Sequence, residues 1–349
     1  MSERVAKIAF LAPLTGDEAV VGVPMMQAVE LAVEEANAAS KLPFRVELLA
    51  MDDRAEPETA RGLARTLVQD SEVVGVVGHK NSGPSNAAGA VYASAGLAQI
   101  TQSSTNSDLA RQGWQTFFRV CADNDRQATT AARYALDVLN LHRVAVVHDN
   151  TAYGRPLAET FMSVAEGGGA KIVLVEPIQL GQKVFDQTVR RLGDAECDLI
   201  YFGLTEIESS FLIRGLRGGG VTTHCFGADG GRQSPFPQLA GKAAEGCYET
   251  YAGVDPQTSA QARAFVRAYE SRYGRCPIFG PEAYDAACIF LEALRRAGVP
   301  DRSAVLAEIK ALHGFAGATG AISFEPNGNR RDAGVTIWQV IDGQMALLV

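Results

Sequence analysis

Two clusters of small hydroxyl side chains follow short apolar runs, and they are the residue types best suited to binding an anion. Ser82 and Ser85 follow the apolar run 73–77, and the run 101–106 (Thr-Gln-Ser-Ser-Thr-Asn) follows the apolar segment 97–100. Where a strand leads into a helix, free backbone N–H groups and the helix dipole favour a negative group without Lys or Arg. A simple helix N-cap at Ser82 is the alternative interpretation.

The elements that must position these turns are alternating strands and helices. Apolar runs and segments with helical spacing alternate from residue 5 to about residue 227, with about four units before residue 120 and about four after it. This rhythm predicts two doubly wound parallel sheets in series. Because the carboxyl ends of parallel strands share one edge, both hydroxyl turns should lie at the edge where open α/β folds bind ligands.

The end of the chain breaks this alternation. Helices are predicted at 259–273, 281–297 and near 303–312, and they are followed by strands at 320–325 and 334–341. Each predicted sheet with its helices forms one lobe. Because helices follow after the second lobe is complete, we expect the chain to cross back to the first lobe. Several crossings between two lobes would form a hinge.

Composition and charge exclude several classes of partner. The 349 residues carry a formal net charge of −8, which argues against a nucleic acid or an anionic membrane surface as partner. No run approaches the roughly 20 apolar residues of a membrane span. A signal peptide is not expected, because 1–4 leads directly into the strand-like run 5–12. A cytoplasmic protein and a mature secreted form both fit this start.

Enzyme, metal and cofactor motifs are missing from the sequence. It contains no GxSxG elbow, no phosphate loop of the GxxxxGK[ST] type and no GxGxxG after the first strand. The six cysteines include no CxxC, so neither a metal nor a cofactor is expected. Cys225 and Cys247 are either buried free thiols or a disulfide. His79, the only histidine near the predicted ligand edge, favours a structural hydrogen-bonding role, and Asp52-Asp53 favours a turn over a metal site.

Several short motifs together resemble the branched-chain (Leu/Ile/Val) amino-acid binding proteins of ABC transporters, which are type I periplasmic binding proteins. The motifs are Leu11-Ala-Pro-Leu-Thr-Gly16, Gly78-His79 with Ser82, Ser103-Ser-Thr-Asn106, Phe118-Arg119, His148-Asp149 with Tyr153-Gly154, and Phe226-Gly-Ala-Asp229. The resemblance implies two doubly wound parallel-sheet lobes joined by a three-strand hinge, closing over an amino acid. It divides the chain into an N-terminal lobe, 1–121 plus 252–328, and a C-terminal lobe, 122–251 plus 329–349.

The resemblance also implies a set of ligand-binding residues. Ser82 and Thr105 match the positions that bind the ligand α-carboxylate, and Ser104 contributes backbone groups. Tyr153 matches the tyrosine that the second lobe brings onto the ligand. Asp229 takes the place of the acidic partner of the α-ammonium group. A zwitterion in a dry site needs this combination of donors at one end and a carboxylate at the other.

The sequence departs from the family pattern at several positions. Thr205 and Val21 stand where leucine binders often have aromatic residues, so the side-chain pocket is expected to be roomier or more polar, and Glu206 could enter it. Asp229 is one methylene shorter than the family's Glu. A family disulfide would need cysteines near Ala55 and Asn81, and neither is present.

Other functions on the same two lobes fit the sequence less well. A hydrolase would need a nucleophile beside a positioned base, and a sugar-repressor-like regulator would begin with a helix-turn-helix instead of a strand. The remaining rival is a binding protein or sensor for a small carboxylic acid such as an aromatic acid, to which Asp229 would be repulsive. We therefore expect a monomeric, periplasmic or extracytoplasmic amino-acid binding protein whose partner is a membrane permease. Which amino acid it binds stays open.

Overall fold

The structure, a computed structural model, describes residues 5–349 as two compact units. Unit 1 consists of the chain up to Ala122 together with Pro256–Gly334, and unit 2 consists of Asp123–Asp255 and Val335–Val349. The chain therefore passes between the units three times. Residues 1–4, on which the expectation about the start of the chain rests, lie outside the described residues.

Strands and helices alternate along most of the chain. The strands are β1 (Val5–Ala12), β2 (Arg45–Asp52), β3 (Val73–Gly78), β4 (Ala98–Thr101), β5 (Phe117–Arg119), β6 (Arg143–His148), β7 (Lys171–Pro177), β8 (Leu199–Gly203), β9 (His224–Gly227), β10 (Tyr248–Tyr251), β11 (Phe315–Gly317), β12 (Gly320–Ile322), β13 (Thr336–Ile341) and β14 (Gln344–Leu347). The helices are α1 (Ala19–Ala38), α2 (Pro57–Leu67), α3 (Ser82–Ser94), α4 (Asn124–Arg133), α5 (Gly154–Gly167), α6 (Asp186–Asp194), α7 (Glu206–Gly218), α8 (Phe236–Ala240), α9 (Ala260–Tyr273), α10 (Gly280–Ala297) and α11 (Arg302–Lys310).

Unit 1 is built on a parallel sheet with the strand order β2-β1-β3-β4-β5. Successive strand residues point to opposite faces, so Ala9 and Leu11 of β1 share one face. On that face they pack with Ala60 and Ala64 of α2 and with Tyr92 of α3. Because β3 and β4 end at the same edge, the two hydroxyl turns that follow them are neighbours.

Helix α10, from the returning segment, completes unit 1. It packs against α1 and against β3. The ring of Phe290 fills the space that a side chain at Gly75 would need, so only glycine allows this close approach of helix and strand.

Unit 2 is built on a seven-stranded sheet with the order β14-β13-β10-β9-β8-β6-β7. The five strands β10, β9, β8, β6 and β7 run parallel to one another. Strand β13 pairs antiparallel with both of its neighbours, β10 and β14. Its core includes Phe161 of α5 stacked on Tyr201 of β8, with ring centroids 3.7 Å apart. The loops that follow β6, β8 and β9 lie at the carboxyl edge of this sheet.

The two doubly wound parallel sheets confirm the predicted α/β fold class, and the differences concern short elements. Two strands, β11 and β14, were not predicted, because runs of three or four residues carry little periodicity. Helix α4 ends at Arg133, and the chain continues as a π turn, Tyr134–Val138. The strand predicted over 320–325 ends at Ile322.

Candidate functional site

The first hydroxyl turn lies at the start of α3 in unit 1. Ser82 is the first residue of the helix, and Asn81 occupies the N-cap position, so the N-cap interpretation of Ser82 is wrong. Instead, the Ser82 Oγ accepts a hydrogen bond from the backbone N–H of Asn106 at 3.2 Å. The two turns predicted to be neighbours are therefore joined directly through the hydroxyl group of Ser82.

The second turn is fixed through its side-chain hydroxyls. The Ser104 hydroxyl donates to the carbonyl of His79 at 2.8 Å and lies 2.7 Å from the Ser85 Oγ. The Thr101 hydroxyl donates to the same carbonyl at 2.9 Å and accepts from the Ser104 N–H at 2.9 Å. The hydroxyl and the backbone N–H of Ser104 are therefore both engaged within the protein.

A buried arginine supports the second turn. The guanidinium of Arg119, at the end of β5, donates to the carbonyl oxygens of Ser104 at 3.0 Å and Asn106 at 2.8 Å. The Asn329 Oδ1 accepts from Nη2 of the same guanidinium at 2.6 Å. Arg119 has no solvent exposure, so its charge is balanced by these oxygens and fixes the path of the turn. In the sequence analysis Arg119 appears only as part of the motif Phe118-Arg119. Its role in holding the second turn was not predicted.

Thr105 differs from the other hydroxyl residues of the turn. It is fully buried, yet its Oγ1 has no hydrogen-bond partner within residues 5–349. Leaving a buried hydroxyl unsatisfied costs about 1–3 kcal/mol. Thr105 therefore provides a donor and acceptor that the protein does not use for its own folding.

A buried Asp–His–Tyr array lies beneath both turns. The His79 Nδ1 lies 2.6 Å from the Asp53 Oδ2, and its Nε2 lies 3.1 Å from the Tyr92 hydroxyl. Burial, and next the negative charge of Asp53, raise the pKa of Tyr92 well above its ordinary value. The structural role predicted for His79 is confirmed. The array fixes the residue whose carbonyl accepts from Thr101 and Ser104.

In unit 2, Asp229 follows β9 and is held by an amide side chain. Its backbone has φ 62°, and its Oδ1 accepts a hydrogen bond from the Gln127 Nε2 at 2.9 Å. The Gln127 Oε1 in turn accepts from the Asp229 N–H at 3.3 Å and from the Thr250 hydroxyl at 2.9 Å. Gln127 belongs to α4, about a hundred residues away in the chain, and sequence reasoning did not identify it.

Tyr153 and Glu206 lie near this aspartate. Tyr153 immediately precedes α5; burial of its hydroxyl, and next the negative charge of Asp229, raise its pKa well above the ordinary value. Burial and the charge of Asp229 raise the pKa of Tyr201 in the same direction. Glu206, the buried first residue of α7, also raises the pKa of Tyr153. Unit 2 thus brings together Tyr153, Glu206 and Asp229 from three different loops.

Glu249 of β10 adds a third carboxyl group that the sequence analysis missed. It is buried and accepts a hydrogen bond from the Ser234 hydroxyl at 3.4 Å. Its side chain occupies the space that a side chain at position 230 would need, and that position is a glycine. Burial, followed by the negative charge of Glu206, raises its pKa well above the usual range. The environment therefore favours the neutral acid at Glu249.

Thr205 occupies the N-cap position of α7, but its hydroxyl has a partner inside the protein. It donates to the Glu208 carboxylate, whose other oxygen accepts from the Gly181 N–H at 2.8 Å. Thr205 therefore offers a ligand mainly its methyl group. Val21, the other position with a smaller residue than expected, is buried in α1 of unit 1.

Asp149, which follows β6, shapes the loop that carries Tyr153. Its Oδ1 accepts from the backbone N–H of Thr151 at 2.9 Å and from the Thr151 hydroxyl at 2.7 Å. The other oxygen, Oδ2, is buried and has no partner in the described chain. Burial raises the pKa of this carboxyl to about 6.

Comparison with known proteins agrees with the fold. A model described as periplasmic binding protein matches residues 5–344. A Leu/Ile/Val-binding protein homolog 3 from Brucella melitensis is 30% identical over 342 residues, which cover 97% of this chain and 92% of the relative.

Two crystal structures extend the comparison. The leucine-binding protein LivK of Thermotoga maritima superposes with a TM-score of 0.88 at 26% identity, covering 99% of this chain and 98% of LivK. The branched-chain amino-acid binding protein LivJ of Streptococcus pneumoniae, in complex with isoleucine, gives a TM-score of 0.88 at 25% identity, with 99% of each chain covered.

These observations define the class and then the family. The fold is that of a type I periplasmic binding protein, and a protein of this class binds a small solute without catalysing a reaction. The chain belongs to the periplasmic binding protein family and is similar to its branched-chain amino-acid binding members. In residues 5–349, no helix is long and apolar enough to cross a bilayer, and no three metal-ligating side chains cluster.

The raised pKa of Asp149 makes the stability of the free protein depend on pH. The folded state holds this proton up to about pH 6, whereas an unfolded aspartate loses it near 3.8, so stability falls as pH rises through this window. Asp149→Asn removes the effect. Urea unfolding should show the variant gaining roughly 1–3 kcal/mol over wild type between pH 4 and pH 7.

Asp137→Asn, at an exposed position of the same unit, is the matched control and should follow wild type across the range. If the difference between Asp149→Asn and wild type is the same at pH 4 and pH 7, the buried carboxyl does not titrate in this window.

Proposed function

We propose that the protein is the extracytoplasmic solute-binding component of an ABC importer and that it binds an amino acid. The ligand is an aliphatic or similar amino acid. The protein acts as a monomer and delivers its ligand to a membrane permease. Support for the transport role comes from the names of its relatives, including the LivK and LivJ proteins.

The observation that carries the proposal is the opposite chemical character of the two units. Unit 1 presents hydroxyls at the start of α3, beside a turn whose carbonyl oxygens are occupied by Arg119. Unit 2 presents Asp229 and Glu206. Besides burial, both raise the pKa of the Tyr153 phenol, and Asp229 also raises that of Tyr201. Donors suit a carboxylate and carboxylates suit an ammonium group, so a zwitterion satisfies both units at once.

Each residue has a specific role in this proposal. The hydroxyls of Ser82 and Thr105 bind the α-carboxylate, whereas the backbone N–H of Ser104 is used within the turn. Asp229 pairs with the α-ammonium, and Gln127 keeps its carboxylate in position. The helix dipole of α3 adds to the binding of the negative end.

The side-chain pocket is bounded by Tyr153, Thr205 and Glu206. Because the Thr205 hydroxyl is engaged by Glu208, it supplies a small apolar surface, which suits a branched aliphatic side chain. Glu206 gives the pocket one charged wall, so ligands with a hydrogen-bond donor on the side chain also fit.

Thr105 provides a test of the carboxylate site in which binding and folding separate. Since its hydroxyl has no partner among the residues that the structure describes, Thr105→Val should leave the melting temperature of the free protein unchanged or slightly raised. Loss of a charge-assisted hydrogen bond should weaken the best amino-acid ligand by about 10- to 100-fold in calorimetric titration. Unchanged affinity would remove Thr105 from the site.

Thr101→Val is the matched control for this experiment. The Thr101 hydroxyl bonds to His79 and Ser104 within the protein, so its loss should lower the stability of the free protein by about 1–3 kcal/mol. The contrast between the two threonines distinguishes a ligand contact from a structural one.

Asp229 tests the ammonium site and the rival ligand class together. Asp229→Asn keeps the shape of the side chain but removes its charge, and should weaken an amino-acid ligand about 100-fold, or ~3 kcal/mol. Asp194→Asn, at an exposed position of the same unit, should bind like wild type. If Asp229→Asn binds the amino acid as tightly as wild type, the carboxylic-acid binding function replaces the proposed one.

A further inference from the structure

Cys225 and Cys247 lie on neighbouring parallel strands of unit 2. Cys225 is in β9, and Cys247 directly precedes β10. The register pairs Phe226 with Tyr248 and Gly227 with Glu249. Extending this register by one residue places Cys225 opposite Cys247. Residues opposite each other in a sheet point to the same face, so both thiols lie on one side of the sheet.

The spacing of these strands suits a covalent link. Neighbouring strands are about 4.8 Å apart, within the ~4.4–6.8 Å between Cα atoms that a disulfide spans. The two thiols are close enough for each to shift the pKa of the other. Cys225 is fully buried and Cys247 is 1% exposed, so the pair is enclosed once the sheet has formed.

Arg217 makes the two thiols chemically unequal. Its Nη2 lies 3.7 Å from the Cys225 Sγ, and its Nη1 donates to the carbonyl of Val221 at 2.7 Å, which holds the guanidinium in place. Burial disfavours the thiolate, but the Cys247 thiol and Arg217 outweigh it and lower the pKa of Cys225. The neighbouring Cys225 thiol, together with burial, raises the pKa of Cys247 well above its ordinary value. Cys225 is thus the nucleophilic member of the pair.

Cys197 is the other cysteine near Cys225, but it is out of register. Cys225 pairs with Ile200 of β8, and Cys197 lies three residues earlier in the chain than Ile200. At about 3.3 Å per strand residue this is an offset of roughly 10 Å, which is too far for a disulfide. Cys247 is therefore the partner that the sheet selects.

We propose that Cys225 and Cys247 form a disulfide that links β9 to β10 when the chain folds under oxidising conditions. Before the folding sheet encloses the pair, the Cys225 thiolate attacks a small-molecule disulfide such as glutathione disulfide and releases one glutathione thiol. Cys247 then loses its proton, attacks the mixed disulfide at Cys225 and releases the second glutathione. Two protein thiols are oxidised and one small disulfide is reduced. The link ties together the strand that leads to Asp229 and the strand that carries Glu249.

The test is oxidative refolding of the full chain followed by thiol counting. Reduced, denatured protein is refolded in a buffer of reduced and oxidised glutathione, trapped by alkylation and analysed in denaturant. We expect four of the six cysteines to be alkylated and one peptide pair, containing Cys225 and Cys247, to be linked until a reductant is added. Six alkylated cysteines, or a link from Cys225 to Cys197, overturn the proposal.

Single variants provide the controls. Cys225→Ser and Cys247→Ser should each abolish the linked peptide pair, whereas Cys197→Ser and Cys276→Ser should keep it. The oxidised wild type should melt roughly 5 °C higher than its reduced form, because a link closing a loop of about 20 residues restricts the unfolded chain. This difference should vanish in Cys225→Ser. Because the readout needs no ligand, it stands apart from the tests of amino-acid binding.

Discussion

The hydrogen bonds of the buried Arg119 guanidinium are the interactions on which the second hydroxyl turn of unit 1, residues 101–106, depends. It bonds to the carbonyls of Ser104 and Asn106 and to the side chain of Asn329, which belongs to the segment that returns to unit 1. A buried cation must be fully satisfied by oxygen atoms, so it dictates where these carbonyls point. With the turn held in this way, the hydroxyl of Thr105 can remain unpaired in the interior.

Unit 2 contains buried acidic groups where unit 1 contains a buried cation. It holds three carboxyl groups, Glu206, Asp229 and Glu249, near two phenols, and burial raises the pKa of Glu249. The protein reduces the repulsion by favouring a neutral Glu249 and by fixing Asp229 with the amide of Gln127. Under the proposed function, the ammonium group of the ligand offsets the cost of assembling these acids.

Most of the fold, but only part of the site, could be predicted from the sequence. The strand and helix alternation and the neighbouring hydroxyl turns follow from local periodicity, which the chain displays clearly. Gln127, Glu249 and the role of Arg119 escaped prediction because their contacts join segments far apart in the chain. Glu249 also lies in a four-residue strand with polar neighbours, which carries no periodic signal.

The most direct test of the zwitterion account compares three ligands of the same shape on the unmodified protein. A thermal-shift screen identifies the best amino acid, and calorimetric titration then compares it with its des-amino acid and its decarboxylated amine. If the units bind opposite ends of a zwitterion, each singly charged analogue should bind at least about 100-fold more weakly, a loss of roughly 3 kcal/mol. A des-amino acid that binds as tightly as the amino acid would contradict the account.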